Sequence, residues 1–254
     1  MIFIGHRGFR VGVLENTFDA FLKTVQLIMD FIECDVQLSR DGIPFILHDA
    51  TLERTMGRPD RISDLTSEEI SLIRSPVTDW TLPSLQNVLE FRKTHHHGAP
   101  KLILELKGKE SGLKTAQLVQ KLGSEADVVF SGRYLEELTA AHTLCPNIPL
   151  CLNITKCPSF SLDSLQKIST YSELPLPFRM ISLKSTAPQF QEFVDKCHQI
   201  GALALVWHFM DDPVPVTSMM KFMEMGVDGI LFDDPDTVSP FRKVLTNAQT
   251  RETY

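Results

Sequence analysis

The 254-residue sequence predicts an α/β fold, a TIM (β/α)8 barrel with a small insertion after the second strand. Three observations lead there. Short apolar runs precede stretches of helical period eight times along the chain, and such repeats imply parallel strands, because a parallel pair needs a crossover. Eight units at this length suit a closed barrel. The competing doubly wound open sheet is disfavoured, since no Gly-x-Gly-x-x-Gly follows the first apolar run.

The first strand covers 2–4 and is broken by Gly5-His6-Arg7-Gly8. Glycines adopt backbone angles that other residues resist, so a His and an Arg between two such hinges either end a strand or face a ligand. Over 17–29, Phe18, Phe21, Leu22 and Val25 share one helical face, with Asn16 or Thr17 as cap. Residues 31–38 read as the second strand, and a turn at Asp41-Gly42 leads into a short extended run, 43–47. From about 49 to 80 the rhythm breaks. Only a helix start at Thr66, with Glu69 three residues on, is legible there. The apolar anchors Leu52, Ile62, Leu65 and Ile73 mark this stretch as an insertion within one domain, 1–254, rather than a linker.

The alternation then resumes. Helices are expected over 84–93, 113–122, 134–144, 162–170, 188–201, 216–226 and 239–248. Strands are expected over 101–106, 127–131, 149–152, 179–183, 202–207 and 228–232.

Composition is that of an ordinary globular chain, 43% apolar and 22% charged. The net charge of −7 lacks the basic footprint of nucleic-acid binders, so no nucleic-acid partner is expected. Five scattered cysteines show neither zinc spacing nor a disulfide framework, which points to a reducing compartment. No basic-then-apolar leader opens the sequence and no run is long enough for a transmembrane segment, so a cytoplasmic location is expected.

A barrel places its site at the C-terminal ends of its strands. That rule gathers His6 and Arg7, Glu33 and Asp35, His48 and Asp49, Glu105 and Lys107, Trp207 and His208, and Asp233 and Asp234. Strand alternation puts Glu33 and Asp35 on one face and turns Cys34 away, which argues against a catalytic thiol. Carboxylates on the inward face of an apolar strand are unfavourable unless paired or bound to a cation. Glu33, Asp35 and Glu105 offer oxygen donors only, which favours one hard divalent cation, Mg2+ or Ca2+, over zinc. Arg and Lys beside such an ion suit a phosphate. Two histidines suit acid–base cleavage of a phosphodiester.

At these residues the sequence resembles the glycerophosphodiester phosphodiesterases. The likeness runs through GHRG (5–8), ENT (15–17), IECDVQLSRDGIPFILHD (32–49), LERT (52–55), LILELK (102–107), VW (206–207) and GVDGILFDDP (226–235). It implies the same barrel and insertion, with His6 and His48 as the acid–base pair. It implies Glu33, Asp35 and Glu105 as metal ligands, and Arg7, Lys107 and Trp207 at the substrate. The reaction implied is hydrolysis of a small-molecule glycerophosphodiester to an alcohol and glycerol 3-phosphate.

Leu14 stands where that family carries proline, and LIMDF precedes the second strand in place of a Gly-Ala. His208 and Met210 replace a Thr and an Asn after the tryptophan, a departure that bears on the alcohol side of the pocket. Two alternatives follow. One is phospholipase D-like or lyase activity on lysophospholipids or sphingolipids, with Phe9, Val11, Val13 and Leu14 as an apolar mouth. The other is a non-catalytic phosphate-binding barrel, which the complete residue set argues against. His95-His96-His97 reads as a solvated loop, and the methionines at 219, 220, 223 and 225 as helix packing.

Overall fold

The computed structural model describes residues 1–76, 80–95 and 99–251. His96 and His97 of the histidine tract, residues 77–79 of the insertion and the last three residues lie outside them.

In chain order the first half comprises β1 (Ile2–Gly5), α1 (Phe18–Gln26), β2 (Phe31–Leu38), β3 (Pro44–Ile46), α2 (Glu53–Met56), α3 (Ser67–Ser71) and α4 (Leu85–Thr94). There follow β4 (Lys101–Leu106), α5 (Ser111–Lys121), β5 (Val128–Gly132), α6 (Leu135–Leu144), β6 (Leu150–Asn153) and α7 (Leu162–Lys167). The chain completes with β7 (Phe178–Lys184), α8 (Phe190–Gln199), β8 (Leu203–Trp207), α9 (Pro215–Glu224), β9 (Gly229–Phe232) and α10 (Pro235–Arg251).

Eight strands run parallel in the order β1-β9-β8-β7-β6-β5-β4-β2, and the β1–β2 pairing closes the ring. The ninth, β3, is antiparallel to the end of β2 and stays outside the barrel. A helix follows each barrel strand, as the apolar period predicts. The final helix starts at Pro235, four residues ahead of expectation, because a proline's fixed φ suits a first helical turn. Helix α7 stops at Lys167 rather than near 170. There Ser169 N–H and Thr170 Oγ1 turn to the Glu173 carboxylate, which competes with the helical ladder. Among the described residues no helix is long and apolar enough to cross a membrane.

Alternation sorts the strand residues into layers. Inside the barrel, Ile4, Ile103, Val129, Cys151, Met180, Leu205 and Leu231 form an apolar floor. Outward residues such as Cys34, Val36, Leu104 and Phe130 are buried beneath the helices. The insertion has its own small core of Leu52, Met56, Ile62, Ile70 and Ile73, which packs on Phe45 and Leu47 just beyond β2. Thr66 and Glu69 make the expected capping box on α3. The five cysteines are free thiols.

The Gly5–Gly8 break has a packing reason. A Cβ on Gly5 would run into the Gly8 carbonyl oxygen and Thr24. Gly8 has φ +76°, and a Cβ there would sit 2.7 Å from Ala20 Cβ on α1. The backbone thus passes close under α1, which carries His6 and Arg7 onto the rim. Gly8→Ala combines a left-handed backbone with overpacking and should lower unfolding stability by about 3 kcal/mol. Urea titration monitored by circular dichroism checks this; an unshifted midpoint would refute the close-packing account.

Candidate active site

Register brings the acidic residues together. Asp35 pairs with Glu105 across β2 and β4, and Glu33 lies one inward step below Asp35. Oxygens of Glu33, Asp35 and Glu105 all fall within 4.8 Å of one another. Asn16 Nδ2 donates to Asp35 Oδ2 at 3.0 Å, and Arg7 N–H donates to Glu33 Oε2 at 2.9 Å.

Cations surround this cluster. Lys107 Nζ lies 2.8 Å from Asp35 Oδ1 and 3.7 Å from Glu105. Arg7 Nε lies 3.3 Å from Asp35 Oδ2, and its Nη1 reaches Glu15 at 2.8 Å. Arg133, from the end of β5, lies 3.3 Å from Glu105. The consequences differ by site. Burial raises the Glu33 carboxyl well above its ordinary range, and the charges of Asp35 and Glu105 add to this. Asp35 is equally buried, yet Lys107, Arg7 and His48 hold it below the usual carboxylate range. Burial works against charge on Lys107, but Asp35 and Glu105 keep its pKa raised.

The donor set fits a hard divalent cation. Three carboxylates converge, and Glu33 Oε1 is buried without a hydrogen-bond partner among the described residues. Cys151 lines the same cavity, and burial pushes its thiol up to about 12, which disfavours a free thiolate there.

Both histidines border this cavity, which measures about 480 Å³. Each is held through Nδ1. His6 Nδ1 lies 2.7 Å from Asp233 Oδ1, and its Nε2 is 3.9 Å from Glu33. Asp233 also accepts from Phe209 N–H at 2.7 Å and Arg10 at 3.2 Å. Burial opposes its charge, but His6, the Phe209 amide and Arg10 lower its pKa all the same. His48 Nδ1 lies 2.7 Å from Asp49 Oδ1, and Asp49 Oδ2 accepts from Arg54 Nε at 2.5 Å. Burial lowers the His48 pKa, with Lys107 and Arg7 adding to it against Asp35 and Asp49. A carboxylate on Nδ1 fixes the tautomer and leaves Nε2 for chemistry.

The expected site residues therefore meet at one rim: His6, Arg7, Glu33, His48, Glu105, Lys107 and Trp207 line the cavity, with Asp35 directly behind. Two expectations change. His208 does not line this cavity; it pairs with Asp211 at 3.2 Å, and Met210 borders a separate depression. Phe9 is no mouth residue, being fully buried in the main core. For Asp233 and Asp234 the sequence leaves open a contact at the site or a cap on the final helix, and the structure divides them: Asp234 caps α10, whereas Asp233 holds His6. The sequence alone assigns no role to Arg133 or to the Glu15–Arg54 pair. Arg133 follows a βα strand end, which is the signal that marks it.

An ionised Glu33 opposes folding when no cation is present. Its folded pKa lies above the ordinary 4.5, so this stability is present below 4.5 and is lost as pH rises toward the folded value. In chelator at pH 8, Glu33→Gln should raise the melting temperature by about 3 °C, a gain that shrinks toward pH 5. Mg2+ or Ca2+ should stabilise the wild type and not the variant. Equal melting temperatures and equal cation responses by differential scanning calorimetry would reject the assignment.

The comparisons agree with this architecture. A model of the "Glycerophosphoryl diester phosphodiesterase family" matches residues 6–237. A glycerophosphodiester phosphodiesterase of Caldanaerobacter subterraneus subsp. tengcongensis is 27% identical over 250 residues, covering 92% of this chain and 95% of that protein. The fold is similar to a glycerophosphodiester phosphodiesterase of Agrobacterium tumefaciens, with TM-score 0.76, 22% identity and coverage of 94% and 99%. It is also similar to an Oleispira antarctica phosphodiesterase solved with its product sn-glycerol-3-phosphate, with TM-score 0.78, 23% identity and coverage of 96% and 97%. With the family model spanning nearly the whole chain and the barrel intact, this chain belongs to the glycerophosphoryl diester phosphodiesterase family.

Proposed function

We propose that this site hydrolyses a glycerophosphodiester to glycerol 3-phosphate and an alcohol, with Glu33, Asp35 and Glu105 holding one divalent cation, Mg2+ or Ca2+. The reading is carried by one arrangement: two imidazoles, each tied through Nδ1 to a carboxylate, border the cavity that contains the three converging acids. Family membership and the product bound to the Oleispira antarctica relative support the substrate class.

The cation would polarise the phosphoryl oxygen as a Lewis acid. Arg7 and Lys107 offset the phosphate charge at the cavity wall. One Nε2 takes the proton of the attacking oxygen, from water or from the glycerol hydroxyl. That oxygen bonds to phosphorus as the bond to the alcohol oxygen breaks, and the other imidazole protonates the departing alkoxide. Where the glycerol hydroxyl attacks, water then opens the cyclic phosphate to glycerol 3-phosphate. Asp233 and Asp49 keep the two rings in register. Trp207 meets His6 edge-on at 6.1 Å between ring centroids, and its buried indole N–H has no acceptor among the described residues, so it is available to a substrate oxygen.

Phosphorus NMR with glycerophosphocholine and glycerophosphoinositol should show glycerol 3-phosphate appearing with Mg2+ or Ca2+ and stopping with chelator. His6→Ala and His48→Ala should each lower kcat by about 10²–10⁴-fold. A His48→Ala protein with wild-type turnover would sink the acid–base pair, and a cyclic phosphate as end product would replace hydrolysis with a lyase reaction.

A further inference from the structure

A second, larger cleft of about 850 Å³ adjoins the catalytic cavity and shares His48, Glu105, Lys107 and Arg133 with it. Gln37, Arg61 and Tyr134 complete its walls. The charges along this cleft do not balance. Its one carboxylate among the described residues, Glu105, already meets Lys107 and Arg133. Arg61 has no acidic partner among the described residues, since the neighbouring Asp60 is taken by Arg58 at 2.8 Å.

The fold presents Arg61 deliberately in one direction. Thr51 and Arg61 face each other in an antiparallel bridge, and Ile62 N–H donates to the Ala50 carbonyl at 3.2 Å. Ile62 is buried in the small core of the insertion, so its neighbour Arg61 points the other way, to the cleft. Gln37 is tied down, its Nε2 donating to the carbonyls of Leu47 and His48. Tyr134, 36% exposed, has a hydroxyl with no protein partner among the described residues.

The two spaces suit different halves of a diester. The inner cavity ends on the barrel floor at Ile103, Leu205 and Leu231 and has a fixed size, which suits the glycerol phosphate common to all such substrates. The open cleft can take a variable alcohol. We propose that this cleft receives the head group and that Arg61, with Tyr134, selects alcohols that carry a phosphomonoester of their own over neutral or cationic ones. This rests on the phosphodiesterase reading above. A guanidinium binds a phosphate dianion through two parallel N–H bonds, and a phenol adds a third donor. A quaternary ammonium would meet three cations and no free carboxylate.

The test compares kcat/KM for glycerophosphoinositol and glycerophosphoinositol 4-phosphate in the wild type, Arg61→Gln and Arg61→Lys. The wild type should prefer the phosphorylated diester about tenfold, as one charge-assisted pair warrants. Arg61→Gln should bring that ratio close to one, Arg61→Lys should restore part of it, and added salt should shrink it. A ratio unmoved by Arg61→Gln, or a wild-type preference for the unphosphorylated diester, would overturn the proposal. Calorimetry with inositol 4-phosphate gives an arm independent of turnover. If neither diester is cleaved, the phosphodiesterase reading fails, while inositol 4-phosphate binding that weakens about tenfold in Arg61→Gln sustains the cleft assignment. No binding to the wild type would overturn it.

Discussion

Mutual repulsion among three buried carboxylates is the constraint around which this barrel is organised. Two unit charges 4 Å apart repel by about 4 kcal/mol at an effective dielectric near 20, and Glu33, Asp35 and Glu105 crowd within 4.8 Å. Lys107, Arg7 and Arg133 answer part of that charge, chiefly at Asp35 and Glu105. Glu33 receives less relief than Asp35, and burial beside those charges raises its pKa. The inward face of β2 thus stores a demand for positive charge that the protein's own side chains leave incompletely met.

A second pattern links the two histidines. From His6 the contacts run to Asp233, Arg10, Glu15, Arg54, Asp49 and finally His48, alternating basic and acidic side chains, with each step between 2.5 and 3.5 Å. This chain joins the ends of β1 and β9 to the insertion. Each carboxylate in it meets at least one arginine, Asp233 through Arg10, Asp49 through Arg54 and Glu15 through both, which makes burial of Glu15 and Asp233 tolerable. The rings of His6 and His48 are therefore fixed by one shared network rather than by two unrelated contacts.

The insertion serves the site from a distance. Its small apolar core docks on Phe45 and Leu47, so the segment is anchored at the point where β2 leaves the barrel. From that anchor it sends Arg54 to the charge chain and Arg61 to the outer cleft. Sequence outside the regular βα rhythm thereby shapes the rim, while the barrel strands carry the central acids.

Much of this is legible in the sequence alone. Period-two alternation determined that Glu33 and Asp35 share the inward face and that Cys34 is buried behind them, because a strand leaves its side chains no other choice. The eightfold rhythm determined the barrel, and the barrel rule determined which strand ends meet. Tertiary structure alone decided the pairings across long separations. Asp233 holding His6, 227 residues away, follows from β9 closing against β1. The turn of His208 away from the cavity follows from its positive φ and its local pairing with Asp211. Ile62 is legible as an apolar anchor, but Arg61 beside it reaches the cleft only because that anchor docks with the insertion's core on Phe45 and Leu47. Local periodicity specifies the direction of a side chain within its own element; only closure of the ring and docking of the insertion specify what it meets.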